Sequence, residues 1–502
     1  MKRVIFIKNA AVLTVTALIL RLAGIIFKVW LAKAVGSEGI GLYQLTLSVY
    51  VLFSTFASGG ISTAVTRLVA DELALGTPQG AKAILKKGIL LSLLISAVSL
   101  IISFFGADFI ANNLLSDGRT AAAIRILGFS LPFMGVSACL RGYFMARRKT
   151  LSSSISQVVE QAARILLVVF LSSAFLSRGI SYACAAVFLG DTVAEGLSFL
   201  YIYLSYLLDR RKIRSSGEKP LPHGIRKIIS IAAPITGGRY LNSLLRTIEN
   251  ILVPKALSIF GGAGLSQFGM IKGMALPLIF FPSSFLNSVS TLLIPEMSEA
   301  LSLGQKYKIR YIAEKVITIT FVSSFLLAGL FFILANQLGA LIYGERDVGF
   351  LLRALSPLVP LMYIDSVCDG MLKGLDKQSF VFRLSVFDSA SRIGLIWIFV
   401  PSLGMRGFLI VMVISNLLTA AWRVVKVVKI AELPFNIQKW VLKPFVFAVF
   451  SCLPSAVLCG GLPLSVFGQV LLAASVSGVL YIALVFIGGC LSSDDLRDII
   501  KK

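Results

Sequence analysis

Long apolar runs separated by short polar breaks organise the chain from end to end. Each run reaches about twenty residues or more, enough to cross about 30 Å of hydrocarbon as a helix whose backbone bonds close internally. Fourteen spans are expected, at 9–33, 40–66, 88–111, 121–146, 152–177, 180–208, 228–254, 265–294, 313–337, 349–372, 379–401, 405–429, 440–461 and 464–490. The pattern predicts an all-α integral membrane protein. Basic residues precede the first run and Ala32-Lys33-Ala34 follows it, as in a cleaved leader. The run is too long for a leader and holds Arg21 and Lys28, so it reads as a retained span.

Composition sharpens this picture. Of 502 residues, 57% are hydrophobic and 14% charged, and Lys plus Arg outnumber Asp plus Glu by 48 to 24. The excess collects in alternate loops, as in Lys82/Lys86/Lys87, Arg147/Arg148/Lys149, Arg210/Arg211/Lys212/Arg214 and Arg423/Lys426/Lys429, while the other loops hold isolated cations such as Arg119, Arg178, Arg346 and Arg406. Such alternation is a topology signal that places both termini in the cytoplasm, and no nucleic-acid partner is implied. The six cysteines fall mostly within apolar runs without close spacing and read as packing. One histidine, His223, leaves no His-based triad or zinc cluster to propose, and no Walker-type loop appears. No cofactor is expected.

An internal repeat divides the chain. A shift of 228 positions brings Ser62 onto Ser290, Gly76 onto Gly304, Pro132 onto Pro360, Gly142 onto Gly370, Glu160 onto Asp388 and Arg164 onto Arg392, without a gap. Six spans separate equivalent positions, so the halves share one orientation and are expected to be two six-helix lobes related by a pseudo-twofold axis along the membrane normal. The expected organisation is an N-lobe at 1–208, a basic cytoplasmic linker at 209–227, a C-lobe at 228–430, two added spans at 431–490 and a cytoplasmic tail at 491–502. From Pro444 to Ser493 there is no charged residue, which suits lipid contact.

Charges inside the runs mark the candidate site. Thr14, Ala17, Arg21, Gly24 and Lys28 share one stripe of the first span. Burying a cation centrally costs about 2.5–3.5 kcal/mol on insertion scales, so the stripe is expected to face a cavity; snorkelling suits Lys28 better than Arg21. The seventh span repeats the theme with Arg239, Asn242, Arg246 and Glu249/Asn250, and Arg246 and Glu249 could also neutralise each other. Lys272 stands in the eighth, where Pro277 and Pro282 free backbone groups for Ser283, Ser284 or Asn287 to satisfy. Glu160/Arg164 and Asp388/Arg392 are spaced i, i+4 at equivalent places; each fits a structural ion pair as well as a contact to substrate or coupling ion. Asp191 and Glu195, also four apart, are candidates for holding a proton or Na⁺. No acidic or histidine cluster suited to glycosyl transfer is found.

The stretches "RLAGIIFKVWLAKAVGSEGIGLYQL" (21–45), "LRGYFMARRKTLSSSISQVVEQAARI" (140–165), "GMALPLIFFPSSFLNSVSTLLIPEMSEA" (273–300) and "DGMLKGLDKQ" (369–378) resemble the stage V sporulation protein B group of polysaccharide exporters. That group belongs to the multidrug/oligosaccharidyl-lipid/polysaccharide superfamily, with a MATE/MurJ-like fold of two six-helix lobes around a cavity. The resemblance implies a bacterial cell-membrane flippase, not an enzyme, that moves an undecaprenyl-pyrophosphate-linked sugar to the outer leaflet by alternating access. A peptidoglycan precursor such as lipid II for the spore cortex fits, with H⁺ or Na⁺ coupling or the membrane potential as drive. It also implies that the last two spans hold the lipid tail. MurJ-type flippases carry two arginines six apart in the first span; Arg21 matches the first, and Phe27, beside Lys28, takes the second place. A pyrophosphate calls for Arg and Lys donors in a low-dielectric site, and outward movement of negative charge gains about 2.3 kcal/mol per charge per 100 mV. Two alternatives remain: a cation-coupled multidrug exporter of the same fold, and a membrane scaffold for cell-wall synthases.

Overall fold

The computed structural model describes residues 2–175, 179–210, 225–461 and 465–490. Most of the expected linker, with His223, and the expected tail lie outside them. Among the described residues the regular structure is helical. The helices are α1 (Lys2–Ser58), α2 (Ile61–Ala74), α3 (Pro78–Phe105), α4 (Thr120–Gly128), α5 (Ser130–Ala146), α6 (Thr150–Phe175), α7 (Ile180–Arg210) and α8 (Ile225–Ile259). There follow α9 (Gly264–Gly269), α10 (Leu276–Ser302), α11 (Lys306–Ile333), α12 (Ala335–Tyr343), α13 (Arg346–Leu355), α14 (Val359–Gly374), α15 (Gln378–Ile430), α16 (Lys443–Gly461) and α17 (Val466–Ile487).

Eleven helices among the described residues are long and apolar enough to cross a membrane, and the chain is a multi-pass membrane protein. Two of them, Val15–Ala74 and Gln378–Ile430, each take in two expected spans. They turn at Gly36 and Gly404, whose φ of 72° and 56° belongs to the left-handed region that a side chain disfavours. The expected run at 228–254 forms α8, but its Arg, Asn and Pro residues keep it outside the eleven.

The chain divides into two compact units, one of Met1–Phe27 with Ala34–Lys255 and one of Lys28–Lys33 with Ala256–Lys502. In the first, α3 packs inside out relative to a water-soluble helix. Ser92, Ser96, Ser99 and Ser103 are buried along one face, and Leu90, Leu94, Val98 and Ile101 are exposed on the other. Without a hydrophobic drive between helices in lipid, small residues set the approach: Gly135 lies against Ser92 and Ser96, and Gly128 against Ser103. A second core joins Ile61, Val65 and Leu68 to Leu85, Leu140, Tyr143 and Ile202.

In the second unit, Pro277 has no N–H for the carbonyl of Gly273, and the segment Met270–Ala275 widens into a π-helix. Tyr343 donates to the Met274 carbonyl at 3.0 Å and Tyr363 to that of Ile279 at 2.6 Å, while Ser283 turns back onto Phe280 O at 2.8 Å. The side chain of Asn287 lies outside the described residues. Uncharged beyond Lys443, α16 and α17 meet through Ser455 and Ser477 at 2.7 Å, and Tyr481 donates to Val322 O of α11 at 2.8 Å.

The repeat recurs as local geometry within each unit. Ser62 donates to Ala138 O at 2.9 Å, and its equivalent Ser290 to Ser366 O at 3.1 Å; all four positions obey the 228-residue shift. Gly76 and Gly304 both have positive φ, as do the non-glycine equivalents Arg148 and Asp376. Gly142 lies against Ser62, and Gly370 against Ser290.

A Cβ at Gly370 would fall 2.7 Å from the backbone oxygen of Ser290, which cannot yield as a side chain can. Gly370→Ala is therefore expected to lose about 1–3 kcal/mol, read as a lower melting temperature in detergent. Gly394→Ala, at a helical site with nothing within 4 Å, is the control and is expected to be neutral or stabilising. Equal melting of the two variants would refute the close approach.

Candidate functional site

The polar residues of the first unit form two groups. One is a seam between α8 and the second half of α1, both amphipathic only by virtue of scattered hydroxyls and amides. Arg239 donates to Gly59 O at 2.5 Å, Thr55 and Ser243 share a hydrogen bond of 3.0 Å, Thr247 donates to Ser48 O at 3.0 Å, and Asn250 to Ser48 Oγ at 3.0 Å. Phe56 and Tyr240 meet alongside. The seam thus takes Arg239 and Asn250 from the expected stripe together with Ser243 and Thr247, and Arg239 and Arg246 are both exposed. Arg21 on the first half of α1 is exposed as well, whereas Glu249 is 4% exposed. Lys28 and Lys272, both half-buried, fall in the second unit; Lys272 sits within the π-helical segment.

The other group is an ion cluster built by α5, α6 and α7. Glu160 is the hub: Arg141 Nη2 donates to its Oε2 at 2.8 Å and Arg164 Nη2 to its Oε1 at 2.9 Å. Arg141 reaches further, to Ser156 at 3.1 Å and Ser198 at 2.7 Å. Arg164 Nε lies 3.0 Å from Asp191 Oδ1, as an ion pair without an aligned hydrogen bond. Glu195, one turn along α7 from Asp191, is buried at 5% exposure. Asp191 and Glu195, which have no cation near them in sequence, therefore stand among two guanidiniums in space.

The second unit builds a related cluster from α14 and α15. Asp388 accepts from Ser415 and lies 3.4 Å from Arg392, which also donates to Ser415 at 2.7 Å. Arg423, 7% exposed, pairs with Asp365 at 2.6 Å and lies 3.6 Å from Asp369, which Lys373 also engages. Sequence reading had grouped Arg423 with the loop cations that report topology; burial and two carboxylate partners make it part of the interior. Arg141, Asp365, Asp369 and Arg423 were missed. A signal existed, because Arg141 and Asp369 are related by the 228-residue shift next to the matched Gly142 and Gly370, with opposite charge. The same place in each unit demands an ion and tolerates either sign, provided its neighbours adjust. Lower down, Asp209 at the end of α7 is buried against Tyr143 and held by Arg147 and by Lys149 at 2.5 Å, so two more apparent loop cations fix the helix end.

Among the described residues no group of three or more His, Cys, Asp and Glu is placed to hold a metal ion. What the arrangement offers is charge: exposed cations on apolar helices, and ion-paired clusters inside each helical unit.

Duplicated helical units with ion pairs at equivalent sequence positions share the MATE and MurJ fold. A solved structure titled lipid II flippase MurJ, inward closed conformation, matches with a TM-score of 0.72 at 17% identity, over 97% of this chain and 99% of that one. An inward-facing multidrug resistance MATE family transporter of the MOP superfamily matches with a TM-score of 0.67 at 16% identity, over 84% and 99%. The chain belongs to the polysaccharide biosynthesis protein family, whose pattern residues 6–301 match. It is 26% identical to stage V sporulation protein B of Bacillus subtilis (strain 168), over 98% of this chain and 97% of that protein. To lipid II flippase MurJ of the same organism it is 24% identical, over 74% and 73%.

Removing one partner of a buried pair leaves the other charge uncompensated, at a cost of about 3–5 kcal/mol, while removing both is far milder. Arg423→Met is expected to lower the melting temperature sharply, and Arg423→Met combined with Asp365→Leu and Asp369→Leu to restore most of the loss. Additive losses across that series would mean the pairing carries no interior role.

Proposed function

We propose that the protein is a flippase that carries an undecaprenyl-pyrophosphate-linked sugar, a peptidoglycan precursor or a related polysaccharide unit, from the cytoplasmic to the outer leaflet of the bacterial cell membrane. Family membership and the names of two relatives support the class of cargo. The observation that carries the chemistry is the exposure of Arg21 and Arg246 on apolar helices of one unit. Among the described residues neither guanidinium is taken up by a carboxylate, in contrast to Arg141, Arg164, Arg392 and Arg423. A cation at such a depth turns toward water or an anionic ligand, and guanidinium is the donor best matched to a diphosphate.

The remaining pieces support the same reading. Lys28 and Lys272 add cations on the second unit, and α16 and α17, uncharged beyond Lys443, suit a polyprenyl tail. A cytoplasmic location of both termini follows from the loop cations. Exposing the binding residues to each side of the membrane in turn would carry the sugar across while the tail stays in lipid. An exporter of cationic drugs would call for acids in the first span, which has none.

In liposomes holding the purified protein and a fluorescent lipid-linked sugar, Arg21→Ala and Arg246→Ala are each expected to slow leaflet transfer at least about tenfold, the loss of about 1.4 kcal/mol of charge-assisted bonding. Melting temperature should stay unchanged. Undiminished transfer in both variants would remove them from the site, and a scaffold would show no transfer in the wild type.

A further inference from the structure

The two arms of α15, before and after the turn at Gly404, do not close on each other as their counterparts in the first unit do. There α6 and α7 meet through small residues: Ser198 donates to Ser156 O at 2.9 Å, and a Cβ at Gly190 would fall 2.8 Å from Val168 Cγ2. By the 228-residue shift, Leu384 and Phe387 of α15 stand where Ser156 and Val159 do in α6. The bulkier arms leave a groove of about 290 Å³ between them, walled by Leu384, Phe387, Leu395, Leu418 and Trp422. Phe387 and Trp422 stack in its wall, with ring centroids 5.6 Å apart and planes within 12°, and stay 52% and 49% exposed.

The polar groups of the groove are turned to one another. Ser415 donates to Asp388 and accepts from Arg392 at 2.7 Å, and Thr419 donates to Ser415 O at 3.0 Å, which leaves Ser391 as the one lining hydroxyl without a partner among the described residues. A sugar needs several donors and acceptors that are not already engaged; an apolar chain needs none. The mouth has a different chemistry. Arg383 lies one turn before Phe387 and Lys426 one turn after Trp422, so both cations stand on the groove's face at the end of the hairpin where α15 starts and stops. Lys426 Nζ lies over the Phe380 ring at 5.5 Å and Arg383 donates to Ser379 O at 3.3 Å; among the described residues neither is paired with a carboxylate. Aromatic rings beside cations at a helix end mark a membrane interface.

We propose that the groove binds an anionic glycerophospholipid, with one acyl chain lying between the arms of α15 against Phe387 and Trp422 and the phosphate held by Arg383 and Lys426. The proposal does not rest on the flippase reading above. Leu395 lies twelve residues beyond Arg383, about 18 Å along the helix, so the groove runs from the interface toward the hydrocarbon centre as an acyl chain does. Charge complementarity selects the head group: a zwitterionic lipid brings its own cation to the mouth, whereas an anionic one meets two cations that no carboxylate has taken up. A bound chain also covers Asp388 and Ser415 on the groove's floor and shields their contacts with Arg392 from water.

Trp422 is its own probe. The full-length protein in detergent micelles is titrated with phosphatidylglycerol or phosphatidylcholine whose acyl chains carry bromine, which quenches tryptophan on contact. The chain has four tryptophans, and the share due to Trp422 is the difference between the wild type and Trp422→Phe, which keeps an aromatic wall and so should fold. That share is expected to be quenched at an at least about tenfold lower concentration of phosphatidylglycerol than of phosphatidylcholine, as two cations beside an anionic head would give. In Arg383→Gln combined with Lys426→Gln, both outside the ion cluster, the two lipids should act alike at an unchanged melting temperature. Equal quenching by the two lipids in the wild type, a preference retained by the double variant, or no Trp422 share at all, as for a groove covered by a second copy of the chain, would overturn the proposal. Unbrominated phosphatidylglycerol should restore the fluorescence; undecaprenyl phosphate restoring it at a lower concentration would assign the groove to the cargo and overturn the phospholipid. None of these readings depends on transfer of a lipid-linked sugar, so a wild type that moves none would sink the flippase reading and leave the groove standing.

Discussion

A charge at hydrocarbon depth has no bulk water to turn to, and this constraint orders the whole structure. Backbone polarity is closed within helices, but a guanidinium or carboxylate must be met by another side chain, by a carbonyl, or by a wet surface. The arginines of the spans show each of these outcomes. Arg141, Arg164, Arg392 and Arg423 are met by carboxylates, and Arg239 by the carbonyl of Gly59. Arg21 and Arg246 remain exposed on the surface of their unit.

Scaffold and site follow from the same division. Ion-paired clusters join α5, α6 and α7 in one unit and α14 and α15 in the other, with small residues at the helix contacts. Duplication made this economical, since one hydrogen-bonded template, Ser62 to Ala138 and Ser290 to Ser366, is built twice. The units diverge at equivalent positions, where Arg141 of one stands in the place of Asp369 of the other.

Much of this was legible in the chain. Apolar runs, alternating cationic loops and the 228-residue shift gave the helical class, the membrane setting and the duplication, because each depends on local composition or on self-similarity. The pairs Glu160/Arg164 and Asp388/Arg392 were visible because both members lie on one helix face. Arg141 and Arg423 were not. Each stands near a helix end among residues that read as loop cations, and their acidic partners lie on other helices.

What the sequence determined by itself, then, is which residues must be helical and that charges inside them require compensation; hydrophobicity and backbone closure act along the chain and need no knowledge of neighbours. Which charge compensates which was decided only by tertiary packing. Arg239 and Arg246 look alike in the same stripe, yet Arg239 meets the Gly59 carbonyl while Arg246, two turns along α8, has no carboxylate partner among the described residues. Contacts between helices distant in sequence decide that difference, and the linear order of residues carries no direct record of it.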